Sequence, residues 1–420
     1  MVTVTLNGND ITGRVLGDPG VRVQVGRQQV NETGDPGACS FAIASTDWVP
    51  LQYTDRVEVE DGGVVRFAGW VSDLAAGHVD DPANPGALLS YIRVTCVGPL
   101  ARWGRERIGD EPWPEEPVAA RAARVAAIVG DDLVVQGGGD VLILSRDVDS
   151  KPGIDVLSDL ADTIGGFLYD HAGTTYLQSI DVRRLTDPQE RWDDQSSTWA
   201  AFPDESWDQQ TQTSATHPTT IVLGPDVVLW EPVPKQTSRI ANTVTVEYGR
   251  IVVEGEQDKQ YSTTSTDPVS AGIFGTQTAK IKTQLVSQGD AELRARLVLE
   301  RSAYPQWHLD LVAVAFEHLD PATAAQVAAM LPGGRVQVSG LPMPGPFPVF
   351  DGCVEGWSEV WQLDTATDQV LRTITLHLSD VRWSFAVLTW DGVVPDTLTW
   401  AEVDTAWDDI LTADDLEAAI

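Results

Sequence analysis

The chain has 420 residues, of which 42% are hydrophobic and 15 are Trp, and its formal net charge at pH 7 is -34. This length and apolar content predict a folded protein of more than one domain. The excess of 62 acidic over 28 basic residues argues against a protein that holds nucleic acid by its phosphates, because such proteins gain affinity from Lys and Arg. The acidity fits a surface past which DNA slides, simple solubility or adaptation to high salt.

Residues 1–100 predict an antiparallel β domain. Apolar and polar residues alternate in runs such as VTVTL, VRVQV and RVEVEDGGVVRFAGWV, and Asn-Gly or Asp-Gly separates several runs. Alternation at a period of two, interrupted by these turn dipeptides, is typical of hairpins. Cys39, Cys96 and Cys353 lack the spacing of a zinc site and are predicted to be small buried hydrophobic residues.

Residues 101–182 predict a small α+β insertion. The first predicted helix follows Pro117 and ends at Gly130, and its inward face carries Val118, Ala122, Val125 and Val129. The second runs from about Ile154 to Ile164, is capped by Gly165 and precedes a hairpin that turns at 171–173.

Residues 183–235 predict an irregular connector rich in Trp and Asp. Its indoles belong to Trp192, Trp199 and Trp207. Two interpretations stay open: an extended arm whose indoles dock on a neighbouring subunit, and a long surface loop.

Residues 236–383 predict a second β domain with helical additions. One helix is expected near Asp290 with Ser287 as its cap and with Leu293 and Leu297 facing inward, and another begins at Asp320. Strands are expected over 335–340, 349–361 and 370–379.

The two predicted β domains carry the same motif. The first copy reads Arg-Val-x-Val, a turn, Phe-x-Gly-x-Val, and a later strand that ends in Arg-Trp, and the second copy keeps this order. The first-copy residues are Arg56, Phe67, Gly69, Arg102 and Trp103, with Val94 and Thr95 in the last strand. Their predicted counterparts are Arg335, Phe350, Gly352, Arg382 and Trp383, with Ile374 and Thr375. A duplicated β unit is therefore predicted.

Residues 384–420 predict a C-terminal extension marked by Trp390, Trp400 and Trp407. Gly392 and Pro395 argue against a long helix. The extension is interpreted as a strand or arm for a partner, with a disordered tail as the alternative.

No catalytic, cofactor or metal site is predicted. The chain lacks a Gly-x-Ser-x-Gly elbow, a phosphate-binding loop and a His-Glu-x-x-His motif. His308 and His318 lie on different predicted elements and make a poor ligand pair. The first ten residues do not resemble a signal peptide, and no apolar run is long enough to predict a membrane-spanning segment.

Several segments resemble phage tail proteins. VRVQVGRQQVNETGDPGACSFAIASTDW resembles the start of many minor tail proteins of phages that infect actinobacteria. LADTIGGFLYDHAGTTYLQS and IANTVTVEYG resemble parts of baseplate hub proteins, and TWAEVDTAWDD is similar to the Trp-rich ends of the same tail proteins. Together these patterns extend over most of the chain.

The resemblance implies a fold, an assembly and a location. Hub proteins of long-tailed phages carry two tail-tube-like antiparallel β-barrels per chain, with smaller domains inserted, and assemble as trimers with a pseudo-sixfold ring. This chain is then expected at the virion tail tip after assembly in the host bacterial cytoplasm. Its expected partners are tail-tube or distal tail proteins, the tape measure protein and other tail-tip proteins, while DNA passes through without specific binding.

Two other functions fit the sequence less well. One is a receptor- or carbohydrate-binding minor tail protein that stacks sugars on the exposed indoles of the connector. The other is a tail enzyme that degrades cell-wall polymer, although no hydrolase motif supports it.

Overall fold

The computed structural model describes residues 2–27, 34, 36–44, 50–80, 88–108, 112–145, 150–179, 220–225, 228–229, 235–236, 240–251, 259–307, 309, 311–340, 349–364, 367 and 369–380. Its strands are β1 Val2–Leu6, β2 Asn9–Asp10, β3 Val21–Gly26, β4 Ala38–Ala44, β5 Arg56–Asp61, β6 Val64–Asp80, β7 Leu88–Val97, β8 Arg107–Ile108, β9 Glu116–Pro117, β10 Leu133–Gln136, β11 Leu142–Ile143, β12 Lys151–Pro152, β13 Phe167–His171, β14 Thr174–Gln178, β15 Ile221–Leu223, β16 Val228–Leu229, β17 Lys235–Gln236, β18 Thr243–Ile251, β19 Lys259–Thr266, β20 Thr278–Lys282, β21 Gln306–Trp307, β22 Val312–Ala315, β23 Arg335–Ser339, β24 Val349–Asp364 and β25 Gln369–Asp380.

Its α-helices are α1 Leu100–Trp103, α2 Val118–Val129, α3 Gly153–Ile164, α4 Pro268–Phe274, α5 Gln288–Ser302 and α6 Pro321–Ala328. The predicted fold class, mainly β with α+β insertions, is confirmed. No helix of the described ranges is long and apolar enough to cross a membrane.

The largest sheet has 13 strands and contains both predicted β units. Along its main path the order is β16-β22-β25-β24-β3-β4-β7-β6-β5-β1-β2, and β23 adds to β24 and β15 to β23. Strands of the two units meet where β3 pairs antiparallel with β24. Apolar side chains from both units, such as Phe67 and Phe350, belong to one hydrophobic core. The two units are therefore joined by backbone hydrogen bonds and by a common core, a connection that the sequence did not reveal.

The insertion has a core of its own. Helix α2 buries the predicted face, and Gly130 ends the helix at φ 72°. Helix α3 ends at Gly165 with φ 69°, and the hairpin of β13 and β14 follows as predicted. Glycine suits both helix ends because a left-handed residue caps the last carbonyls without a Cβ clash.

A second small α+β part lies inside the predicted second β domain. Strands β19, β18 and β20 form a three-stranded sheet against α5, whose cap is Ser287 as predicted. The prediction that Leu293 faces inward is wrong, because its side chain is 39% exposed. Helix α5 instead packs Ala291, Ala295 and Leu299 against the sheet. The two alanines bring the helix close to the strands. The buried face therefore carries no stripe of large apolar residues by which the sequence could have identified it.

The segment predicted to be an irregular connector contributes strands to the main sheet. Strand β15 pairs parallel with β23, and β16 pairs antiparallel with β22. Both strands are short, at three and two residues, so their period-two alternation was too brief to detect.

Candidate assembly site at the junction of the two β units

The two β units have the same strand order. Within the main sheet the first unit reads β1-β5-β6-β7-β4-β3, and the second reads β15-β23-β24-β25-β22-β16. Neighbouring strands are antiparallel throughout, except that β15 runs parallel to β23 whereas β1 runs antiparallel to β5. The predicted duplicated hairpin is thus part of a repeat of five strands, and the sixth strand has the same place in both units but opposite directions.

The paired hairpins explain the Phe-x-Gly pattern. Val59 lies opposite Phe67 in the first hairpin, and Val338 lies opposite Phe350 in the second. A Cβ on Gly69 would lie 2.6 Å from the Phe67 ring, and one on Gly352 would lie 2.9 Å from the Phe350 ring. Each buried Phe therefore folds over the glycine two residues later, which leaves no room for a side chain there.

The sheet register differs from the letter-by-letter comparison in the last strand. The sequence comparison matched Val94 of β7 with Ile374 of β25. In the structure Val94 pairs with Leu74, and Trp357, the counterpart of Leu74 in the second unit, pairs with Leu376. Val94 therefore corresponds to Leu376. A shift of two residues keeps the same side chains facing the core, so alternation alone could not distinguish the registers.

The Arg and Trp residues of the repeat do not have equivalent surroundings. Arg335 makes a bidentate pair with Asp351 at 3.1 and 2.6 Å, whereas Arg56 is exposed on β5. Arg102 and Trp103 lie on α1, where Arg102 contacts Asp131 at 2.7 Å and Trp103 is fully buried in the insertion core. Arg382 and Trp383 lie outside the described residues.

Glycines permit the close contact between β3 and β24. Gly20 precedes β3 and Gly26 is its last residue, paired with Gly356, and their φ values of 74° and 77° lie in a region that favours glycine. A Cβ on Gly20 would lie 1.9 Å from the Trp361 carbonyl oxygen. On the other strand, a Cβ on Gly356 would lie 2.4 Å from the Val25 carbonyl oxygen. The junction is therefore built where side chains are missing on both strands.

A buried charge network connects the two units beneath the sheet. Glu359 of β24 accepts from the Arg66 Nε of β6 at 2.9 Å and from the Arg372 Nε of β25 at 2.5 Å. Arg372 also contacts Asp61 of β5 at 2.5 Å. The Glu359 side chain is 0% exposed and that of Arg66 is 1% exposed. Charges this deeply buried are tolerated only when they are paired, so the network holds the two units in one relative position.

Aromatic rings surround these guanidinium groups. The Arg372 Cζ lies 3.6 Å from the Phe316 ring centroid, and the Arg66 Cζ lies 5.6 Å from that of Trp357. Cation–π attraction of this kind adds about 1 kcal/mol at such sites.

A second buried pair lies at the end of the β3–β24 ladder. Arg27 contacts Glu355 at 2.6 Å, and the Ser379 hydroxyl donates to the other Glu355 oxygen at 2.5 Å. The Arg27 guanidinium also lies 4.4 Å from the Phe167 ring of the insertion. This pair therefore connects both β units with the insertion.

Asp170 anchors the insertion to the first β unit. Its carboxylate accepts from the backbone N–H of Gly37 at 2.5 Å and of Leu100 at 2.9 Å. A Cβ on Gly37 or Gly98 would lie within 2.2 to 2.4 Å of this carboxylate, so glycine is needed at both positions. Burial raises the pKa of Asp170 from 3.8 to about 6, although the two N–H donors oppose the rise.

His171 follows Asp170 in the chain, and its pKa is shifted in the opposite direction. Its ring lies 5.6 Å from that of Trp357 in an edge-on arrangement. Burial lowers the pKa of His171 from 6.5 to about 4, and the positive charge of Arg66 adds to the effect.

Asp170 and His171 are expected to make the stability of the fold depend on pH in opposite directions. Between pH 3.8 and about 6 the folded state holds a proton on Asp170 that the unfolded state has lost, so its contribution to stability falls as pH rises. Between about pH 4 and 6.5 the unfolded state holds a proton on His171 that the folded state lacks, so its contribution rises with pH.

Substituting each residue separates the two effects. Relative to the wild type, Asp170→Asn is expected to gain stability as pH rises from 4 to 6, and His171→Gln is expected to lose stability over the same range. Each change is on the order of 2 kcal/mol, superimposed on a pH-independent loss of contacts. Urea unfolding at several pH values measures both differences. Differences that do not vary with pH would contradict the assignment.

The tryptophans predicted to form an interface lie in two segments of the chain. Trp192, Trp199, Trp207, Trp390, Trp400 and Trp407 all lie outside the described residues, as does His308. The cysteines are all described, and all three are buried, as predicted, and none of them forms a disulfide. Cys39 and Cys96 lie opposite each other on β4 and β7, where burial raises the pKa of Cys39 well above its ordinary value.

Sequence reasoning missed the charged residues of the junction. Arg66 lies within an apolar strand, and this position could have predicted a buried charge. Its partner Glu359 could not be predicted, because the chain has 62 acidic residues and no local pattern selects one of them. Within the described ranges, no group of three or more His, Cys, Asp or Glu residues is arranged to hold a metal ion.

Comparison with solved structures shows that the fold is shared with prophage tail proteins. The 43 kDa tail protein of prophage MuSo2 from Shewanella oneidensis is 12% identical, with a TM-score of 0.58 over 91% of this chain and 99% of that one. A tail protein from Neisseria meningitidis is 11% identical, with a TM-score of 0.57 over 91% and 97%. The prophage tail protein gp18 from Listeria monocytogenes is 10% identical, with a TM-score of 0.50 over 90% and 94%. No family model matches the chain, and no curated protein matches its sequence.

Proposed function

We propose that the chain is a structural protein of a phage tail, the hub at the tail tip, and that it acts without catalysis. The observation that supports this best is the repeated six-strand order within a fold that matches prophage tail proteins over nearly their whole lengths. The fold match supports a tail-protein fold, and the repeat within one chain supports an assembly of several copies.

The repeat supports a ring. Two similar β units in one chain act as two neighbouring positions of a ring, so three chains provide six positions. Such an assembly matches a sixfold tube on one side and presents threefold symmetry on the other. The hub would then contact tail-tube or distal tail proteins, the tape measure protein and other tail-tip proteins.

The buried network between the units fits this role. Each chain must present its two units at a fixed angle for a ring to close, and the Arg66–Glu359–Arg372 pairs prevent the units from shifting relative to each other. Cores and buried pairs of this kind resist continuous deformation.

The net charge of -34 suits a channel for genome DNA. Acidic groups on a channel wall give phosphates nothing to bind, because phosphate contacts depend on Lys and Arg. A basic wall in the assembled ring would contradict this part of the proposal.

Native mass spectrometry of the purified chain, alone and with its tail-tube protein, tests the proposal. The expected result is a trimer, or a trimer that forms on addition of the tube protein, visible as a closed ring by electron cryomicroscopy. A chain that stays monomeric under both conditions would contradict the hub function.

A further inference from the structure

Cys39 and Cys96 lie directly opposite each other on β4 and β7. The two strands are antiparallel neighbours, so both side chains point to the same face of the main sheet. That face belongs to the hydrophobic core, in which Cys39 is 1% exposed and Cys96 is 0% exposed. The two thiols are also close enough to interact, and this interaction adds to the rise in the pKa of Cys39. The fold therefore places two thiols side by side in its interior.

The geometry of the two strands suits a disulfide. Opposite residues of antiparallel strands have Cα atoms about 4.5–5.5 Å apart, and a disulfide joins Cα atoms about 4.4–6.8 Å apart. A bond between Cys39 and Cys96 therefore needs a rotation of the side chains and a small adjustment of the strands, and the register stays the same.

Packing alone does not explain two adjacent cysteines. In the row of residues that crosses β3, β4, β7 and β6, Val23 lies opposite Cys39 and Val71 lies opposite Cys96. Valine thus fills the flanking positions of the same row, and all four side chains belong to the core. A pair of thiols adds a property that valine lacks, the ability to form a covalent bond across the strands.

The pair lies at the end of the β4–β7 ladder where the insertion is anchored. The last pair of the ladder adjoins Cys39 and Cys96. Beyond it the Gly98 N–H donates to the Gly37 carbonyl at 2.7 Å, and the Asp170 carboxylate of the insertion accepts from the Gly37 N–H. Strand ends open more readily than strand centres, so a covalent bond here would hold the two strands together at the anchor.

We propose that Cys39 and Cys96 form a disulfide when the chain passes from a reducing to an oxidising environment, and that the bond locks β4 to β7 where the insertion is anchored. This inference goes beyond the proposed function, which needs no covalent bond. A virion protein made in a reducing cytoplasm would meet oxidising surroundings on release from the cell.

A low-molecular-weight disulfide, here glutathione disulfide, is the oxidant. One cysteine thiolate attacks a sulfur of glutathione disulfide and releases one glutathione thiolate, which leaves a mixed disulfide on the protein. The second cysteine thiolate then attacks the protein sulfur of that bond and releases the second glutathione. In total the two cysteines lose two electrons and two protons, and glutathione disulfide gains them. Burial keeps Cys39 protonated, so the exchange needs local opening of the ladder end and is slow in the folded chain.

Refolding in a glutathione buffer tests the inference without a barrier from burial. The reduced, unfolded wild type is refolded in a glutathione mixture as oxidising as the one in which secreted proteins fold, and the remaining thiols are alkylated before peptide mass spectrometry. We expect a peptide pair linked through Cys39 and Cys96, lighter by two hydrogens than the two reduced peptides, and an alkylated Cys353. Cys353 is the matched control, because it is 2% exposed and lies opposite Arg335 and Ser379. Recovery of Cys39 and Cys96 mainly in the alkylated form would overturn the inference.

Thermal unfolding measures the effect of the bond on the fold. The oxidised wild type is expected to unfold at least about 3 °C above the reduced wild type, because the bond restricts the unfolded chain. Cys353→Ala is expected to keep this difference, and Cys39→Ala and Cys96→Ala are expected to abolish it. Equal unfolding temperatures of the oxidised and reduced wild type would overturn the lock, and this comparison does not depend on any variant.

The outcomes separate this inference from the proposed function. A chain that forms the disulfide but stays monomeric supports the disulfide and contradicts the hub. A chain that assembles into a ring but never forms the disulfide leaves the hub function in place and overturns the inference.

Discussion

Glu359→Gln is expected to lower the free energy of unfolding by about 3–5 kcal/mol, the usual effect of breaking a buried ion pair. The amide cannot balance the charge of Arg66, whose side chain is 1% exposed and whose carboxylate partner is Glu359. Arg372 keeps its contact with Asp61, so the loss falls mainly on Arg66. Urea unfolding followed by Trp fluorescence measures the change.

A carboxylate in a more exposed ion pair serves as the matched control. Glu247 pairs with Lys280 at 2.5 Å, but the Lys280 side chain is 58% exposed. Glu247→Gln is expected to cost less than about 1 kcal/mol, because water screens such pairs. If the two variants lost equal stability, the Glu359 network would not be what joins the β units.

Gly20→Ala is expected to destabilise the protein by about 2–5 kcal/mol, from a left-handed backbone and a steric clash together. The φ of Gly20 is 74°, and a Cβ would lie 1.9 Å from the backbone oxygen of Trp361. Backbone cannot move aside as a flexible side chain can, so β3 must shift away from β24. Thermal unfolding and hydrogen exchange of β3 amides follow this shift.

Gly8→Ala isolates the contribution of the backbone conformation. Its φ of 79° is nearly the same, yet nothing lies within 4 Å of an added Cβ. We expect a loss of about 1–2 kcal/mol for this control. Equal losses at Gly20 and Gly8 would mean that the contact with Trp361 is unimportant.

Short-range sequence patterns were sufficient to predict most of the described helices and hairpins. The apolar face of α2, the glycine after α3 and the serine before α5 are properties of a few consecutive residues. The same kind of signal failed at Leu293, because the choice of inward face depends on which neighbour the helix packs against.

The repeat was only partly visible in the sequence. The Phe-x-Gly pattern survived in both copies because each Phe ring covers its glycine, a short-range constraint. The correspondence of Val94 with Leu376 needed the sheet register, since a two-residue shift leaves the alternation unchanged. Strands as short as β15 and β16 left no period to detect.

The sequence by itself determined that this is a mainly β protein with a small helical insertion, a repeated hairpin and an acidic composition. These features follow from periodicity, turn residues and charge, which act over a few neighbouring positions. Only the tertiary structure decided that β3 joins β24 and that Glu359 pairs with Arg66. Those contacts join residues far apart in the chain, so they depend on how the sheet folds as a whole and not on any local pattern.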